Sequence, residues 1–149
     1  MKHRVLFTIG YEGKSIEQYL GELKINQIRA LIDIRANPIS RKPGFSKQKL
    51  NSGCTHIGID YFHFPDAGIP SYLRKELKFK NDYEELFGWY QSHLEIIPET
   101  IEKIIDLLRI NSRIALTCFE RDVNLCHRKL CAEHIAKKIN SELFEYIHL

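Results

Sequence analysis

The alternation of short apolar runs with helical patterns is the feature that most limits what this chain can fold into. Runs rich in β-branched and aromatic residues, bounded by Gly, Pro or charged residues, are typical of strands. Between them, apolar residues recur every three or four positions, as in amphipathic helices. We predict five strands, at residues 5–9, 30–35, 60–64, 113–119 and 143–149.

Helix signals fill the gaps between these strands. Ser15, with Gln18 three residues later, has the pattern of a capping box that opens the first helix. Ser46 is predicted to cap a short helix that ends at Leu50, and the last helix is predicted over about residues 125–139. Two apolar faces indicate helices in the middle of the chain, the second after Pro98: Tyr83, Leu86, Phe87 and Tyr90, then Ile101, Ile104, Ile105 and Leu108.

Strands separated by helices indicate an α/β fold whose neighbouring strands run parallel. The length of 149 residues is the usual size of one domain. We therefore predict a single domain over residues 1–149, with a mostly parallel five-stranded sheet and helices on both faces. Such sheets bind ligands beyond the carboxyl ends of their strands. The polar residues that end the first, second and fourth strands are expected to share one cleft: Tyr11, Glu12, Asp33, Arg35, Asn37, Cys118 and Glu120.

The net charge of +3 conceals an uneven distribution of charged residues. From Arg35 to Lys49 the chain carries five basic residues and no acidic one. A positive field of this kind attracts phosphates, nucleotides or a nucleic-acid backbone. The same segment is equally well explained as a solvated loop that keeps the protein soluble. A net charge this small does not by itself indicate nucleic-acid binding.

The sequence predicts a cytoplasmic protein that does not interact with a membrane. No apolar run approaches the roughly 18 to 20 residues that span a bilayer. Residues 1–10 combine a basic start with a short apolar stretch, without the long apolar region and small-residue cleavage site of a signal peptide. We expect these residues to lead into the first strand.

Three of the four cysteines lie within fourteen residues, at Cys118, Cys126 and Cys131. In a reducing compartment, such a cluster is more often buried, catalytic or metal-binding than joined by disulfides. Together with His127, these cysteines offer four atoms that can bind zinc. Their spacing lacks the close Cys pair of most zinc sites, and adjacent helical residues point about 100° apart. We therefore assign no metal and no cofactor from the sequence.

The densest group of reactive side chains lies in residues 118–128. A cap at position 122 or 124 would place the next residues in the first turn of the last helix. The backbone N–H groups and the helix dipole there stabilise an anion and lower the pKa of a cysteine. Cys126 is then either a nucleophile or a small residue packed at the helix start. His127 and Arg128 are a candidate proton carrier and a candidate fork for phosphate or carboxylate.

Two carboxylates, Glu12 and Glu120, are expected at the rim of the sheet. One of them, with a raised pKa, would serve as a general acid. Either can instead form a structural ion pair with Arg35 or Arg128. Asp33 lies within an apolar strand, where a carboxylate is costly unless it is hydrogen-bonded. We expect Asp33 to hold a loop backbone or to orient Arg35.

Several motifs, taken together, resemble one protein family. They are Thr8-Ile9-Gly10-Tyr11, Asp33-Ile34-Arg35-x-Asn37-Pro38-x-Ser40, Phe45 before a short helix, and Cys118-x-Glu120 followed by Cys126-His127-Arg128. In this combination and order, the sequence resembles the bacterial and archaeal family known as domain of unknown function 488, over essentially the whole chain. Family members often carry His and Ser after the first Gly, where this chain has Tyr11 and Glu12. The resemblance implies a compact α/β domain with its motifs gathered at one end, and it implies no reaction.

These patterns favour a small enzyme that acts on an anionic substrate in a cleft at the strand ends. The substrate would contain phosphate, as a small molecule, a nucleotide or a nucleic acid. The candidate catalytic residues are Glu120, Cys126, His127 and Cys118. The candidate substrate-binding residues are Tyr11, Asp33, Arg35, Asn37, Ser40, Arg41 and Arg128.

Two other interpretations stay open at this point. The first is a non-catalytic module that binds a nucleotide or a nucleic acid through its basic residues, while the cysteines and carboxylates brace loops. The second is a Cys/His metal-binding protein. The aromatic residues around Trp89 and Tyr90 are most simply explained as core residues, but if they are exposed, a homodimer is compatible with either interpretation.

Overall fold

The computed structural model describes residues 2–74 and 80–149. None of the helices in these two ranges combines the length and the apolarity needed to cross a bilayer. The described strands and helices are, in chain order, β1 (Arg4–Gly10), α1 (Ile16–Ile25), β2 (Ala30–Asp33), α2 (Lys47–His56), β3 (Asp60–His63), α3 (Ser71–Arg74), α4 (Lys80–Glu95), α5 (Pro98–Asn111), β4 (Arg113–Cys118), α6 (Arg128–Lys138) and β5 (Phe144–His148). Short 3-10 turns at Pro65–Ala67 and Val123–Leu125 complete the pattern.

The five strands form one sheet in the order β3-β2-β4-β1-β5. All four pairings are parallel, which confirms the predicted α/β fold. β4 lies between β1 and β2, with Cys118 opposite Gly10 and Thr117 opposite Asp33. The carboxyl ends of these three strands therefore lie side by side at one edge of the sheet, as the sequence predicted.

Helices cover both faces of the sheet. Successive strand residues point to opposite sides, so each strand supplies apolar side chains to both faces. Along β1, Leu6 packs with the core formed by α4, α5 and α6, whereas Phe7 packs with α1 and α2. The same alternation runs along β4, where Ile114 and Leu116 face the first core and Ala115 the second. This pattern confirms the predicted arrangement of helices on both faces.

The first helix begins as predicted, and the second begins at the predicted residue but without a side-chain cap. Ser15 Oγ accepts a hydrogen bond from the Gln18 backbone N at 3.1 Å, and Gln18 Oε1 accepts one from the Ser15 N at 2.9 Å. The Ser46 side chain makes no capping bond. It instead bonds the backbone of Ser40, donating to the carbonyl at 3.0 Å and accepting from the N–H at 2.9 Å. Ser46 thus closes the preceding loop, and α2 continues past Leu50 to His56.

The last helix begins later than predicted. Asp122 accepts a hydrogen bond from the Asn124 backbone N at 2.9 Å and so caps a 3-10 turn rather than an α-helix. Cys126 follows this turn in an extended conformation, and α6 begins only at Arg128. The placement of Cys126 and His127 in the first helical turn is therefore wrong, since both precede the helix.

The aromatic residues around Trp89 belong to the core, as the simpler interpretation predicted, and are not exposed as a dimer surface would require. Tyr90 is completely buried, and its hydroxyl donates to the carbonyl of Ala67 at 2.6 Å. Trp89 is half-buried against the same core and stacks on His93, with ring centroids 4.7 Å apart. The surface feature on which the expectation of a homodimer rested is therefore not present at these two residues.

Gly10 ends β1 at a point where the chain has no room for a side chain. A Cβ at this position would overlap the backbone carbonyl of Glu120. We expect Gly10→Ala to lower the free energy of unfolding by about 1–3 kcal/mol or more, the usual cost of overpacking, since backbone must shift. Urea unfolding measures the change.

The matched control is Gly21→Ala in α1, where an added Cβ would meet no described atom within 4 Å. Because Ala favours the helix, this variant is expected to gain about 0.5–1 kcal/mol. Equal unfolding midpoints for the two variants would contradict the close approach of Gly10 to Glu120.

Candidate functional site

A cavity of about 200 Å³ opens at the carboxyl edge of the sheet, between the ends of β2 and β4. Five of the residues predicted from the sequence line it, and they come from three separate parts of the chain: Arg35, Asn37, Cys118, Glu120 and His127. The loop before α3 and α3 itself add Ile69, Ser71 and Arg74. The parallel sheet thus brings together polar groups that are up to about ninety residues apart in sequence.

Asp33 holds Arg35 in place beneath the cavity. The Asp33 carboxylate is completely buried, and it accepts hydrogen bonds from Arg35 Nε at 2.9 Å and Nη2 at 2.8 Å. It also accepts from the Arg35 backbone N at 3.1 Å and from the Tyr61 hydroxyl at 2.5 Å. Burial opposes the charge of Arg35, but the hydrogen bonds and charge of Asp33 outweigh it and raise the pKa of Arg35 overall. Asp33 therefore fixes the loop backbone and orients Arg35, as expected.

Tyr11, which stacks on Phe45, holds the other side of the Arg35 guanidinium. Arg35 Nη1 donates to the hydroxyl of Tyr11 at 3.1 Å, and the buried Tyr11 ring stacks on Phe45 with centroids 4.5 Å apart. His63 Nε2 donates to the Arg35 carbonyl at 2.7 Å. Within the described residues, three of the five guanidinium N–H groups are engaged, which leaves two for a ligand.

Arg74 joins two of the candidate catalytic residues. Its Nη1 donates to Glu120 Oε1 at 2.9 Å, and its Nη2 donates to His127 Nδ1 at 2.9 Å. Glu120 thus pairs with Arg74, not with Arg35 or Arg128 as the sequence suggested. The other carboxylate oxygen, Oε2, is buried and has no hydrogen-bond partner among the described residues. Such an orphan acceptor is what a ligand with an N–H or O–H group would satisfy.

His127 carries its ring proton on the side away from Arg74. Nε2 donates to the carbonyl of Ile34 at 2.8 Å, so Nδ1 is the nitrogen that accepts from Arg74. Burial, followed by the positive charges of Arg74 and Arg128, lowers the pKa of His127 to about 3. The ring is therefore neutral near pH 7 and presents a lone pair at Nδ1.

Arg128 lies behind the cavity and is not among the residues that line it. The side chain is completely buried, and burial lowers its pKa. Nε donates to Thr8 Oγ1 at 3.1 Å, Nη2 donates to the carbonyl of Arg121 at 3.2 Å, and Nη1 donates to the carbonyl of Glu120. The guanidinium thus binds the protein's own backbone, in contrast to the predicted fork for a substrate.

The structure joins Cys118 and Cys126 by a disulfide, which differs from the expectation of unbridged cysteines. The turn at Val123–Leu125 folds the loop back, so that Cys118 and Cys126 meet although they are eight positions apart in sequence. Cys118 lines the cavity, while Cys126 is buried beside His127, with its Sγ 3.9 Å from Nδ1. Among the described residues, these three form a group whose ligand atoms lie within 4.8 Å of one another.

The remaining cysteines are free and buried. Burial raises the pKa of both thiols, Cys54 and Cys131, to about 12. Cys131, on the buried face of α6, packs in the core. It does not belong to the group of Cys118, Cys126 and His127, although its position in sequence had suggested it as a fourth metal ligand. Both residues are therefore inert packing groups in this fold.

The remaining predicted residues lie outside the cavity lining. Ser40 is engaged in the loop closed by Ser46, and Arg41 is exposed. Its neighbour Lys42 donates from Nζ to the carbonyl of Tyr11 at 3.0 Å, which anchors the basic segment beside the site. Glu12 is exposed and accepts from the Arg121 backbone N at 3.0 Å.

Arg74 is the lining residue with a charged side chain that the sequence did not reveal. It follows Pro70 in a short helix without a recognisable motif, and only the packing of α3 brings it to Glu120 and His127. A single basic residue in such a segment is not enough to predict a binding or catalytic residue from the sequence.

Fold and cavity together define an α/β protein whose described strands all run parallel, with a cavity lined by charged side chains at the ends of β2 and β4. Residues 15–135 match the family described as Domain of unknown function DUF488, and the chain belongs to this family. The resemblance seen in the sequence motifs is thereby confirmed. No curated protein and no solved structure matches the chain.

We expect Asp33→Asn to destabilise the protein strongly. The substitution leaves the Arg35 guanidinium buried without its counter-charge, and breaking a buried ion pair in this way costs about 3–5 kcal/mol. Thermal and urea unfolding measure the change in the free energy of unfolding.

The matched control is Glu102→Gln, which breaks the exposed pair of Glu102 with Arg109 on α5. Exposed pairs contribute about 0–1 kcal/mol, so little change is expected. A loss at Asp33 no larger than that of the control would show that Asp33 does not hold Arg35 as described.

Proposed function

We propose that this protein is a small enzyme that binds a phosphate-containing anion in the cavity at the strand ends, with Glu120 as its general base. One observation carries the proposal: two guanidinium groups, Arg35 and Arg74, line the same cavity as a carboxylate whose second oxygen has no hydrogen-bond partner among the described residues. The arginines support the binding of the anion, the cavity volume supports the size of the bound group, and Glu120 supports the chemical step.

The charges of the lining favour an anion. Arg35 and Arg74 supply two positive charges and Glu120 one negative charge, while the ring of His127 is neutral. The buried carboxylate of Asp33 offsets the charge of Arg35, so this residue favours an anion mainly through the guanidinium N–H groups that Asp33 and Tyr11 leave unused. A guanidinium offers parallel N–H groups that match the oxygens of phosphate. The two arginines are therefore suited to hold such a group from two sides.

The size of the cavity limits what is bound inside it. Its volume of about 200 Å³ is below the range of roughly 300–1,000 Å³ usual for drug-sized ligands. It suits one phosphate-like group with a short attached segment. The rest of a larger substrate would extend over the neighbouring basic segment, which Lys42 anchors to Tyr11.

Glu120 has the features of a general base. Arg74 fixes Oε1, so the orientation of the carboxylate is set, and Oε2 is left to accept a proton from a hydroxyl of the substrate or from water. The Cys118–Cys126 disulfide leaves neither sulfur as a nucleophile in this state. Glu120 is therefore the residue that we place in the chemical step.

We expect Arg74→Gln to weaken the binding of inorganic phosphate by about 10-fold or more. The variant loses a charged hydrogen bond to the anion, which is worth about 1.5–3 kcal/mol. Isothermal titration calorimetry of the full chain measures the dissociation constant.

The matched control is Arg109→Gln, because Arg109 is an exposed arginine on α5 that pairs with Glu102 and Asp106. Its phosphate affinity is expected to equal that of the wild type. If the wild type binds no phosphate, or if both variants bind equally well, the anion site is not where we place it.

We expect Glu120→Gln to separate binding from chemistry. Removal of the negative charge reduces repulsion and should raise phosphate affinity by about threefold or more. Turnover of any phosphate ester hydrolysed by the wild type should fall by about 10²-fold or more, the usual contribution of a general base. Full turnover in a folded variant would show that Glu120 is not the base.

Salt dependence distinguishes the enzyme from a module that binds nucleic acid through its exposed basic residues. Binding through the cavity should respond weakly to added salt, because few charges are involved. Binding of an oligonucleotide through the basic segment would weaken steeply, since each phosphate contact releases counterions. A steep salt response without turnover of any phosphate ester would favour the module.

A further inference from the structure

We propose that Cys118, Cys126 and His127, once the disulfide is reduced, form a binding site for a zinc ion at the base of the cavity. The three side chains come from the end of β4 and from the residues just before α6. All three are buried, and their ligand atoms lie within 4.8 Å of one another. The inference does not depend on anion binding, because a metal site can be measured in the absence of any substrate.

One of the three ligand distances already suits a tetrahedral metal. Zinc binds sulfur at about 2.3 Å and nitrogen at about 2.0–2.1 Å, which places neighbouring ligand atoms roughly 3.5–3.8 Å apart. Cys126 Sγ lies 3.9 Å from His127 Nδ1. The Cα atoms of Cys118 and Cys126 are 7.3 Å apart, whereas disulfides usually span about 4.4–6.8 Å. After reduction the sulfurs are no longer bonded, and this wide backbone separation allows them to move apart to the spacing that zinc requires.

His127 is oriented as a metal ligand. Its Nε2 donates to the carbonyl of Ile34, which fixes the tautomer and leaves Nδ1, 3.9 Å from Cys126 Sγ, as the nitrogen with a lone pair. Histidines that bind metals usually donate their second ring N–H to a carbonyl or carboxylate in this way. Arg74 Nη2, which occupies Nδ1 in the structure, would have to leave it, while Nη1 can stay on Glu120.

Both sulfurs have N–H donors that favour thiolates. The backbone N of Arg128 donates to Cys126 Sγ at 3.5 Å, and Arg128 Nη1 donates to Cys118 Sγ at 3.4 Å. Two thiolates and one Zn²⁺ sum to zero charge, so the complete site is cheaper to bury than the bare thiolates. Cys54 and Cys131 lie outside this group, and burial raises the pKa of their thiols.

Formation of the site needs a two-electron reduction. A dithiol reductant gives two electrons and two protons to the Cys118–Cys126 bond and becomes a disulfide itself, which leaves two thiols on the protein. Zn²⁺ then binds both sulfurs and His127 Nδ1, and the two thiol protons pass to solvent. Neither step changes the oxidation state of the metal.

Three protein ligands leave the fourth tetrahedral position open, as in catalytic zinc sites. Cys118 and His127 both line the cavity, as does Glu120. The open position therefore faces the cavity, where water or an anionic oxygen can occupy it.

The test titrates the full-length chain, reduced with a dithiol and then freed of reductant, with Co²⁺ and Zn²⁺. We expect one equivalent of Co²⁺ to bind with the visible absorption of a tetrahedral thiolate complex, and Zn²⁺ to displace it. Cys118→Ala and Cys126→Ala should each weaken binding by about 100-fold or more, beyond the 10–100-fold cost of an outer-shell change.

Cys54→Ala and Cys131→Ala are the matched controls, since they remove a buried thiol outside the group. Both should bind the metal as the wild type does, with circular dichroism to show that every variant is folded. A second measurement uses only the wild type, so it does not depend on whether the variants fold. Bound Zn²⁺ should protect Cys118 and Cys126 from alkylation, and mass spectrometry identifies which cysteines are modified.

The proposal is overturned if the reduced wild type binds no stoichiometric metal. It is also overturned if the Cys118 and Cys126 variants bind as tightly as the controls, or if Zn²⁺ leaves alkylation unchanged. Phosphate affinity is measured separately on the oxidised, metal-free protein. Its loss would contradict the proposed function alone, and failure of the metal titration would contradict the zinc site alone.

Discussion

The buried guanidinium of Arg128 ties together the parts of the chain on which the site depends. It reaches from α6 to Thr8 on β1, to Cys118 at the end of β4, and to the carbonyls of Glu120 and Arg121 beyond it. Parallel strands end at one edge, but nothing in their pairing fixes the loops that follow them. Arg128 supplies that restraint, because its donors bind both β1 and the segment that ends β4 and follows it. The closeness of Gly10 to the Glu120 carbonyl is part of the same arrangement.

A second buried arginine sets the opposite wall of the cavity. Asp33 and Tyr11 hold Arg35 from two sides, so its guanidinium is positioned before any ligand arrives. Preorganised groups of this kind lose little conformational entropy on binding, and this increases affinity. Arg74 is different, since it is one-third exposed and its partners are themselves lining residues. The cavity therefore combines a buried, fixed cation with a second one that is more exposed.

Much of this arrangement follows from the sequence, because parallel strands force their carboxyl ends together. Arg35, Asn37, Cys118 and Glu120 were placed at one edge on that reasoning alone, and the structure brings them to one cavity. The wrong predictions concerned features that the sequence pattern does not record: which of several local hydrogen bonds forms, and how deeply a side chain is buried. Asp122 closes a 3-10 turn where the sequence allowed a helix start, and Arg128 is a basic residue whose burial no motif records. Arg74 was missed because its role comes from the packing of α3.

The single side chain shared by Glu120 and His127 has a consequence for how ligands at this edge influence one another. An anion that recruits Arg74 Nη2 also uncovers the imidazole nitrogen, and a metal that takes that nitrogen also frees Nη2, while Nη1 stays on Glu120. Thermodynamic reciprocity then requires each occupant to change the affinity of the other by the same factor. If both proposals hold, the anion and the metal are thereby coupled without movement of the sheet, through the side chain of one residue.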